Sequence, residues 1–354
     1  MKVFEIGDQQ GIASLTASER PDPVPGPGEA VLRVRAACLN HRDLLIVSGR
    51  YGPRRPAARV PLSDGIGEVL AVGPGVGPGV GPGVGGPNVS GITVGERAMC
   101  GHFVTWIDGS FAPSVFATDL GVTADGWLAE RIVVPAAALV PVPATLTDER
   151  AVALGAAGLT AWNALVEIGR VKSGDLVLTL GTGGVSIFAL QLAKLHGANV
   201  AITSSDDAKL AQASRLGAGI LLNYRTTPDW AAALLAATGG RGADIIVETG
   251  GLATLSQSIA AAAPNARIVL IGALAGMPDQ VLPNFSSIIG KNLTLRGITA
   301  GNRRMLAELV RSADLNGLVP VIDRVFPFEQ APAAYAHLQS GTHIGKVMIA
   351  LDSR

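Results

Sequence analysis

Leu180-Gly181-Thr182-Gly183-Gly184-Val185-Ser186 follows the apolar run Leu176–Leu180 and opens a largely apolar helical stretch, Ser186–His196. Glycine at 181 permits a tight turn, and glycine at 183 lets a ligand's phosphates approach the backbone. A helix beginning near Gly184 points its free N–H groups and the positive end of its dipole at such an anion. Thr182 and Val185 fill the turn, and Ser186 stands where the third glycine of a dinucleotide fingerprint is usual. A second strand, Asn199–Thr203, comes next, so strand, turn, helix and strand appear in the order the fingerprint requires.

Working outward, the alternation continues. Asp206–Leu216 reads as a helix capped by Ser205 or Asp206. Ile220–Asn223, Ile245–Glu248, Arg267–Ile271 and Leu293–Gly297 read as strands, with helices Trp230–Ala237 and Leu255–Ala263 between them. Repeated strand–helix alternation predicts an α/β, doubly wound parallel sheet covered on both faces, here over residues 151–298. A helix near Met305–Asn316 and a last strand, Lys346–Leu351, follow.

The end of the second strand selects the nucleotide. An NAD site usually places an acid there to bind the adenosine ribose. Here Thr203, Ser204 and Ser205 offer hydroxyls, and Lys209 lies one helical turn on. Asn223, Tyr224 and Arg225 end the third strand and add donors. This pattern favours NADP(H). The alternative is that Asp206 or Asp207 reaches the ribose, although their place at a helix start suits capping.

Residues 1–150 differ in character. They are rich in proline and glycine, with short strand-like runs at Gly67–Val72, Leu128–Val134 and Ala30–Ala37, where Arg33 and Arg35 alternate with apolar residues. Alternating helices are not expected here. Gly73–Val84 repeats GPGV three times and reads as a surface loop that offers no chemistry.

Bulk composition narrows the function. The 354 residues are 48% hydrophobic and 16% charged, enough for two folded domains. Basic and acidic residues balance at 28 each, which gives no electrostatic case for nucleic acid or a membrane surface. Two cysteines, Cys38 and Cys100, suit a reduced compartment, although one disulfide stays open. The start, MKVFEIGDQQ, has no apolar run of signal length, so a cytoplasmic protein is expected.

Several stretches in one order resemble the medium-chain dehydrogenase/reductase superfamily: ACLNHRDL (37–44), PLSDGIGEV (61–69), GLTAW (158–162), the LGTGGVS turn, Leu222–Arg225, VETGG (247–251) and HIGKVM (343–348). The first of these is similar to the version found in zinc-free quinone oxidoreductases. The resemblance implies a β-rich GroES-like catalytic domain over 1–150 and 299–354, around a Rossmann domain. It also places the catalytic zinc ligands of alcohol dehydrogenases at Leu39–Asn40, at Ser63 and near Gly155. None of these is a zinc ligand type, and a four-cysteine lobe is missing, so no metal is expected.

By the same resemblance, three residues are candidate catalytic groups. Asn40 would donate its amide to a substrate oxygen or simply fix its loop. Asp43 would take part or only cap a turn or pair with Arg42. Tyr51 would give a proton or form an aromatic wall. Thr160 would face the nicotinamide, or be a buried helix threonine. Lys346 would contact the cofactor, or lie on the surface. Thr249, Gly250, Gly251, Gly272, Ala273, Leu274 and Thr299 sit just past strands, where ligands of such sheets bind. Trp106, Phe111, Phe116 and Trp127 would clamp a planar acceptor or build the core.

Without a Lewis acid, reducing a quinone or an α,β-unsaturated carbonyl demands less than oxidising a simple alcohol. The expected function is therefore NADPH-dependent reduction of such an acceptor. A zinc-independent alcohol dehydrogenase or ketone reductase is the first rival. A non-catalytic, nucleotide-regulated binding protein is the second, which the balanced charge disfavours. A homodimer is expected, paired through the exposed edge at Leu293–Gly297.

Overall fold

The computed structural model describes residues 1–52, 58–77, 92–272, 274 and 283–351. Ala273 and the GPGV repeat from Pro78 onward lie outside them. The chain folds into two compact units, Met1–Leu159 with Gly301–Arg354, and Thr160–Ala300.

The first unit is built on a seven-stranded sheet. Its order is Ile322–Pro327, Lys346–Ala350, Glu29–Leu39, Asp64–Val72, Arg97–Met99 and Val140–Pro141, with Arg131–Pro135 also pairing Glu29–Leu39. The long strand Glu29–Leu39 organises it. Arg33 and Arg35 face outward and both pair with Glu68 on the neighbouring strand, at 2.8 and 2.7 Å. From Ala36 to Leu39 both faces are buried. Register then decides what meets at this end: Cys38 lies opposite Asp64, and Leu39 opposite Val347.

Two details differ from the sequence reading. A helix, His41–Val47, follows the long strand directly and extends the turn expected at Asp43 to two turns. Leu128–Glu130 precedes its strand and bonds in part to the first strand: Phe4 N–H donates to Leu128 O and Glu130 N–H to Lys2 O, while Val34 N–H donates to Glu130 O. Trp127 is wholly buried against Gly65, where a Cβ would come within 2.1 Å of the indole. That close approach is why glycine follows Asp64.

The second unit is the expected doubly wound sheet. Six parallel strands run in the order Ile220–Asn223, Asn199–Ser204, Leu176–Thr179, Ala243–Glu248, Ala262–Leu270 and Thr294–Gly297. The order reverses between Leu176–Thr179 and Ala243–Glu248, and ligands of such sheets bind beyond the strand ends at that point. Val177, Leu178, Ile245, Ile246 and Val247 are fully buried, as strands covered on both faces must be. The helix after the first strand spans Gly184–Leu195 and starts earlier than its apolar pattern, with Gly183 in the extended N-cap conformation.

Candidate functional site

Three strand ends of the first unit converge on one buried polar cluster. Lys346, 3% exposed, donates from Nζ to Leu39 O at 2.7 Å, Asn40 Oδ1 at 2.6 Å and Asp64 Oδ2 at 3.3 Å. Asn40 Nδ2 donates to Asp64 Oδ2 at 3.0 Å. Asp64 is fully buried, and its Oδ1 has no hydrogen-bond partner among the described residues. A buried carboxylate is costly unless it is paired, and the ammonium supplies that pairing. Asp64 was not singled out from the sequence. Its signal was its place in the PLSDGIGEV stretch.

The other catalytic candidates of this unit gather around the helix His41–Val47. Asp43 accepts the Asn40 backbone N–H at 2.7 Å, so it caps the helix. Arg42 does not pair with it. The guanidinium donates from one nitrogen to both oxygens of buried Asp119 at 2.7 Å and lies 4.9 Å from the ring centre of Tyr51. Burial pushes the Asp43 carboxyl up to about 7, with Asp64 adding to the rise and Arg42 opposing it.

The aromatic candidates divide. Trp127 belongs to the core. Phe111 and Phe116 are partly exposed and form an edge-on cluster with Trp106 and Phe103: Trp106–Phe111 centroids are 5.6 Å apart, Phe111–Phe116 5.8 Å and Phe103–Phe116 5.4 Å.

The donor set at the positions implied for a catalytic zinc does not suit the metal. Ser63 contributes a neutral hydroxyl, Gly155 contributes no side chain, and a Cβ there would sit 3.0 Å from Asp64 Oδ1. The carboxylate beside them already holds an ammonium, which would repel a dication. Burial pushes the Cys38 thiol up to about 12 and raises Cys100 as well, so neither is poised as a thiolate ligand. Among the described residues no group of three or more His, Cys, Asp or Glu is placed to hold a metal.

In the second unit the phosphate-binding turn has its expected shape. Gly181 has φ +75°, a conformation that favours glycine, and its N–H donates to Thr203 Oγ1 at 3.1 Å. Gly183 has an ordinary φ of −77°, and a Cβ there would meet no protein atom within 4 Å. Neither backbone conformation nor packing against the described residues calls for glycine at 183. Ser186 Oγ donates to Leu180 O at 2.5 Å, so the residue in the third fingerprint position ties the helix back to the strand. Thr249 Oγ1 donates to the same carbonyl at 3.0 Å.

Glu248, also missed in the sequence, holds the loop after the fourth strand. Its buried carboxylate accepts from Gly250 N at 2.8 Å, Gly251 N at 3.0 Å, Thr254 Oγ1 at 2.6 Å and Ser258 Oγ. Leu274 N–H donates to Thr249 O at 3.1 Å, which brings that residue to the same loop. Gly272 and Leu274 are exposed, Thr299 is half-buried and Thr160 is buried.

At the nucleotide-selecting end, Asn223 pairs with Ser204 in register and Tyr224 N–H donates to Ser204 O at 3.0 Å. Asp206 caps the next helix, accepting from Ala208 N at 2.7 Å and Lys209 N at 3.1 Å. Asp207 accepts from Asn223 Nδ2 at 2.6 Å. Both acids near the strand end are thus engaged within the chain, while Thr203, Ser204, Ser205, Asn223 and Tyr224 sit together at two adjacent strand ends. Lys209 is half-buried on the first turn of the helix that Asp206 caps.

Two outcomes follow. A Cβ at Gly183 meets none of the described residues within 4 Å, so Gly183→Ala is expected to keep the thermal midpoint while weakening NADPH binding about tenfold. Fluorescence titration checks this, and unchanged affinity would refute the phosphate-binding role. For Asp43, the unfolded carboxyl ionises near its ordinary value and the folded one near 7. The stability its protonated form contributes is complete below the unfolded value and is lost as the pH rises through about 7. Between about pH 5 and about pH 8, Asp43→Asn should therefore lose less stability than the parent in urea denaturation. Parallel curves would show that Asp43 does not hold the proton.

Comparison with known proteins agrees with this fold. A model of the alcohol dehydrogenase GroES-like domain matches residues 26–144, and a zinc-binding dehydrogenase model matches residues 184–314. A zinc-type alcohol dehydrogenase-like protein of Schizosaccharomyces pombe is 41% identical over 334 residues, 92% of each chain. The crystal structure of an NAD-dependent alcohol dehydrogenase is 31% identical with a TM-score of 0.87, covering 99% of this chain and 100% of the other. A mycobacterial protein solved in complex with NADPH is 25% identical with a TM-score of 0.79, covering 99% of this chain and 100% of that one. The chain therefore belongs to the medium-chain dehydrogenase/reductase superfamily and is one of its oxidoreductases.

Proposed function

We propose that the protein reduces a quinone or the activated C=C of an α,β-unsaturated carbonyl with NADPH and without zinc. The observation that carries this reading is the Lys346–Asn40–Asp64 cluster, which stands beside the positions implied for a zinc ligand set. NADPH, when bound, supplies the hydride. The turn Gly181–Ser186, the loop Thr249–Gly251, Gly272, Leu274, Thr299 and Thr160 would hold it. Ser204, Ser205, Lys209, Asn223 and Tyr224 would meet a 2′-phosphate. Ala273 belongs to the same proposed set. The engagement of Asp206 and Asp207 elsewhere supports NADP over NAD, and the mycobacterial relative was solved with NADPH.

As the acceptor takes hydride, negative charge moves onto its own oxygen. Asn40 would donate its remaining amide hydrogen to that oxygen, where a preorganised donor lowers the barrier. An enone's α-carbon then takes a proton from Tyr51 or from solvent, and a quinone's second oxygen does the same. The rival is a zinc-independent alcohol dehydrogenase or ketone reductase, favoured by the alcohol dehydrogenase names of the relatives. No helix among the described residues is long and apolar enough to cross a membrane. The proposed setting is the cytoplasm, with a small-molecule substrate.

A homodimer forms part of the proposal. The strand Thr294–Gly297 lies at the edge of its sheet, and Phe285 and Ile289, one helical turn apart, are 71% and 76% exposed. A two-fold contact here would cover both features. Light scattering should give a dimer for the parent and a monomer for a Phe285→Glu/Ile289→Glu variant; a monomeric parent would end this part of the proposal.

The enzymatic test uses purified protein with NADPH or NADH against a simple quinone, an enone and a ketone, with and without chelator. Faster turnover of quinone or enone with NADPH, unchanged by chelator, is expected. Activity with the ketone alone, or only after zinc is added, would overturn the reading.

A further inference from the structure

We propose that Lys346 is a positioning residue. It fixes the side-chain amide of Asn40 so that one N–H is left for the substrate oxygen, and it makes no contact with the nucleotide. This rests on the reading of Asn40 given above and deepens it.

An ammonium has three donor hydrogens and no acceptor. Those of Lys346 are matched by three acceptors of its own unit: Leu39 O, Asn40 Oδ1 and Asp64 Oδ2. None remains for a phosphate or a ribose. Register enforces the arrangement, since Val347 lies opposite Leu39 and the preceding residue faces Asn40.

The partners leave Asn40 one orientation. Lys346 can only donate, so the amide oxygen must face it, at 2.6 Å. The Asp64 carboxylate accepts, so the amide nitrogen must face that, at 3.0 Å. A flipped amide would set NH2 against NH3+ and oxygen against carboxylate, two repulsive contacts in a buried place. Asn40 Nδ2 carries two hydrogens, and the described residues accept one of them. Asn40 is half-buried, whereas Lys346 and Asp64 are buried. The second hydrogen is therefore the one polar donor the cluster can present outward.

The sequence alone suggested a nucleotide contact for Lys346. The two roles separate experimentally. In Lys346→Met, NADPH affinity by fluorescence titration should stay within about twofold, while kcat with the quinone or enone falls about a hundredfold, the scale for loss of one oriented donor. The variant also leaves Asp64 buried without a cation, so its thermal midpoint should drop. Lys346→Met/Asp64→Asn removes both charges. It should recover the midpoint but not kcat, because the amide that replaces the carboxylate can donate as well as accept and no longer holds Asn40 one way round. A purely structural lysine predicts that kcat returns with the midpoint, which would overturn the proposal. So would an NADPH affinity weakened about tenfold at unchanged kcat.

Should Lys346→Met fail to fold, the double variant carries the same two readouts. Should the parent reduce no acceptor, the functional reading fails by itself and the NADPH titration still decides Lys346. Unchanged affinity in the double variant, with midpoints of the Asn40→Leu and Lys346→Met changes that do not add, upholds the positioning role. Weakened affinity refutes it.

Discussion

A carboxylate removed from water must be met by a cation or give up its charge, and that demand shapes the first unit. Asp64 heads a strand whose other face is closed by Trp127 packed on Gly65, and its side chain is fully buried. The cation arrives on a strand that pairs with the opposite side of Glu29–Leu39. One central strand thus sets two registers at once, and their common end is where Asn40, Asp64 and Lys346 meet. A slip of one residue in either register would turn the side chains to the wrong face and leave two buried charges apart.

The second unit solves a different problem by related means. Its polar groups must hold backbone in loops that strands and helices do not support. Leu180 O, at the end of the first strand, accepts from both Ser186 and Thr249, which ties the phosphate turn to the loop beyond the fourth strand. Glu248 then fixes that loop from below through two backbone N–H groups and two hydroxyls. Ser186 and Thr249, named in the sequence as ligand contacts, thus spend their hydroxyls within the framework of the turn and the loop.

Elements with strong local patterns were legible. The parallel strands were continuous apolar runs, Arg33 and Arg35 marked a half-buried strand, and Asp206 capped the helix it preceded. The glycine turn could be read because its spacing has a mechanical reason. What escaped were pairings between residues far apart in the chain. Arg42 had an acid next door in Asp43 yet chose Asp119, 77 positions away. Asp64 looked like the polar start of a strand, since its partner lies 282 positions on.

The first unit is discontinuous, and this has a bearing on biosynthesis. Met1–Leu159 emerges from the ribosome with Asp64 and Asn40 in place, but the strand bearing Lys346 follows only after all of Thr160–Ala300 has been made. Until then the carboxylate lacks its counter-charge, and Ala36–Leu39 of the long strand lacks its partner on that side. The nascent first segment is thus held short of its native core, while the intervening sheet, contiguous in the chain, can close first. The polar cluster can therefore be completed only after Thr160–Ala300 and the strand Lys346–Ala350 have been made.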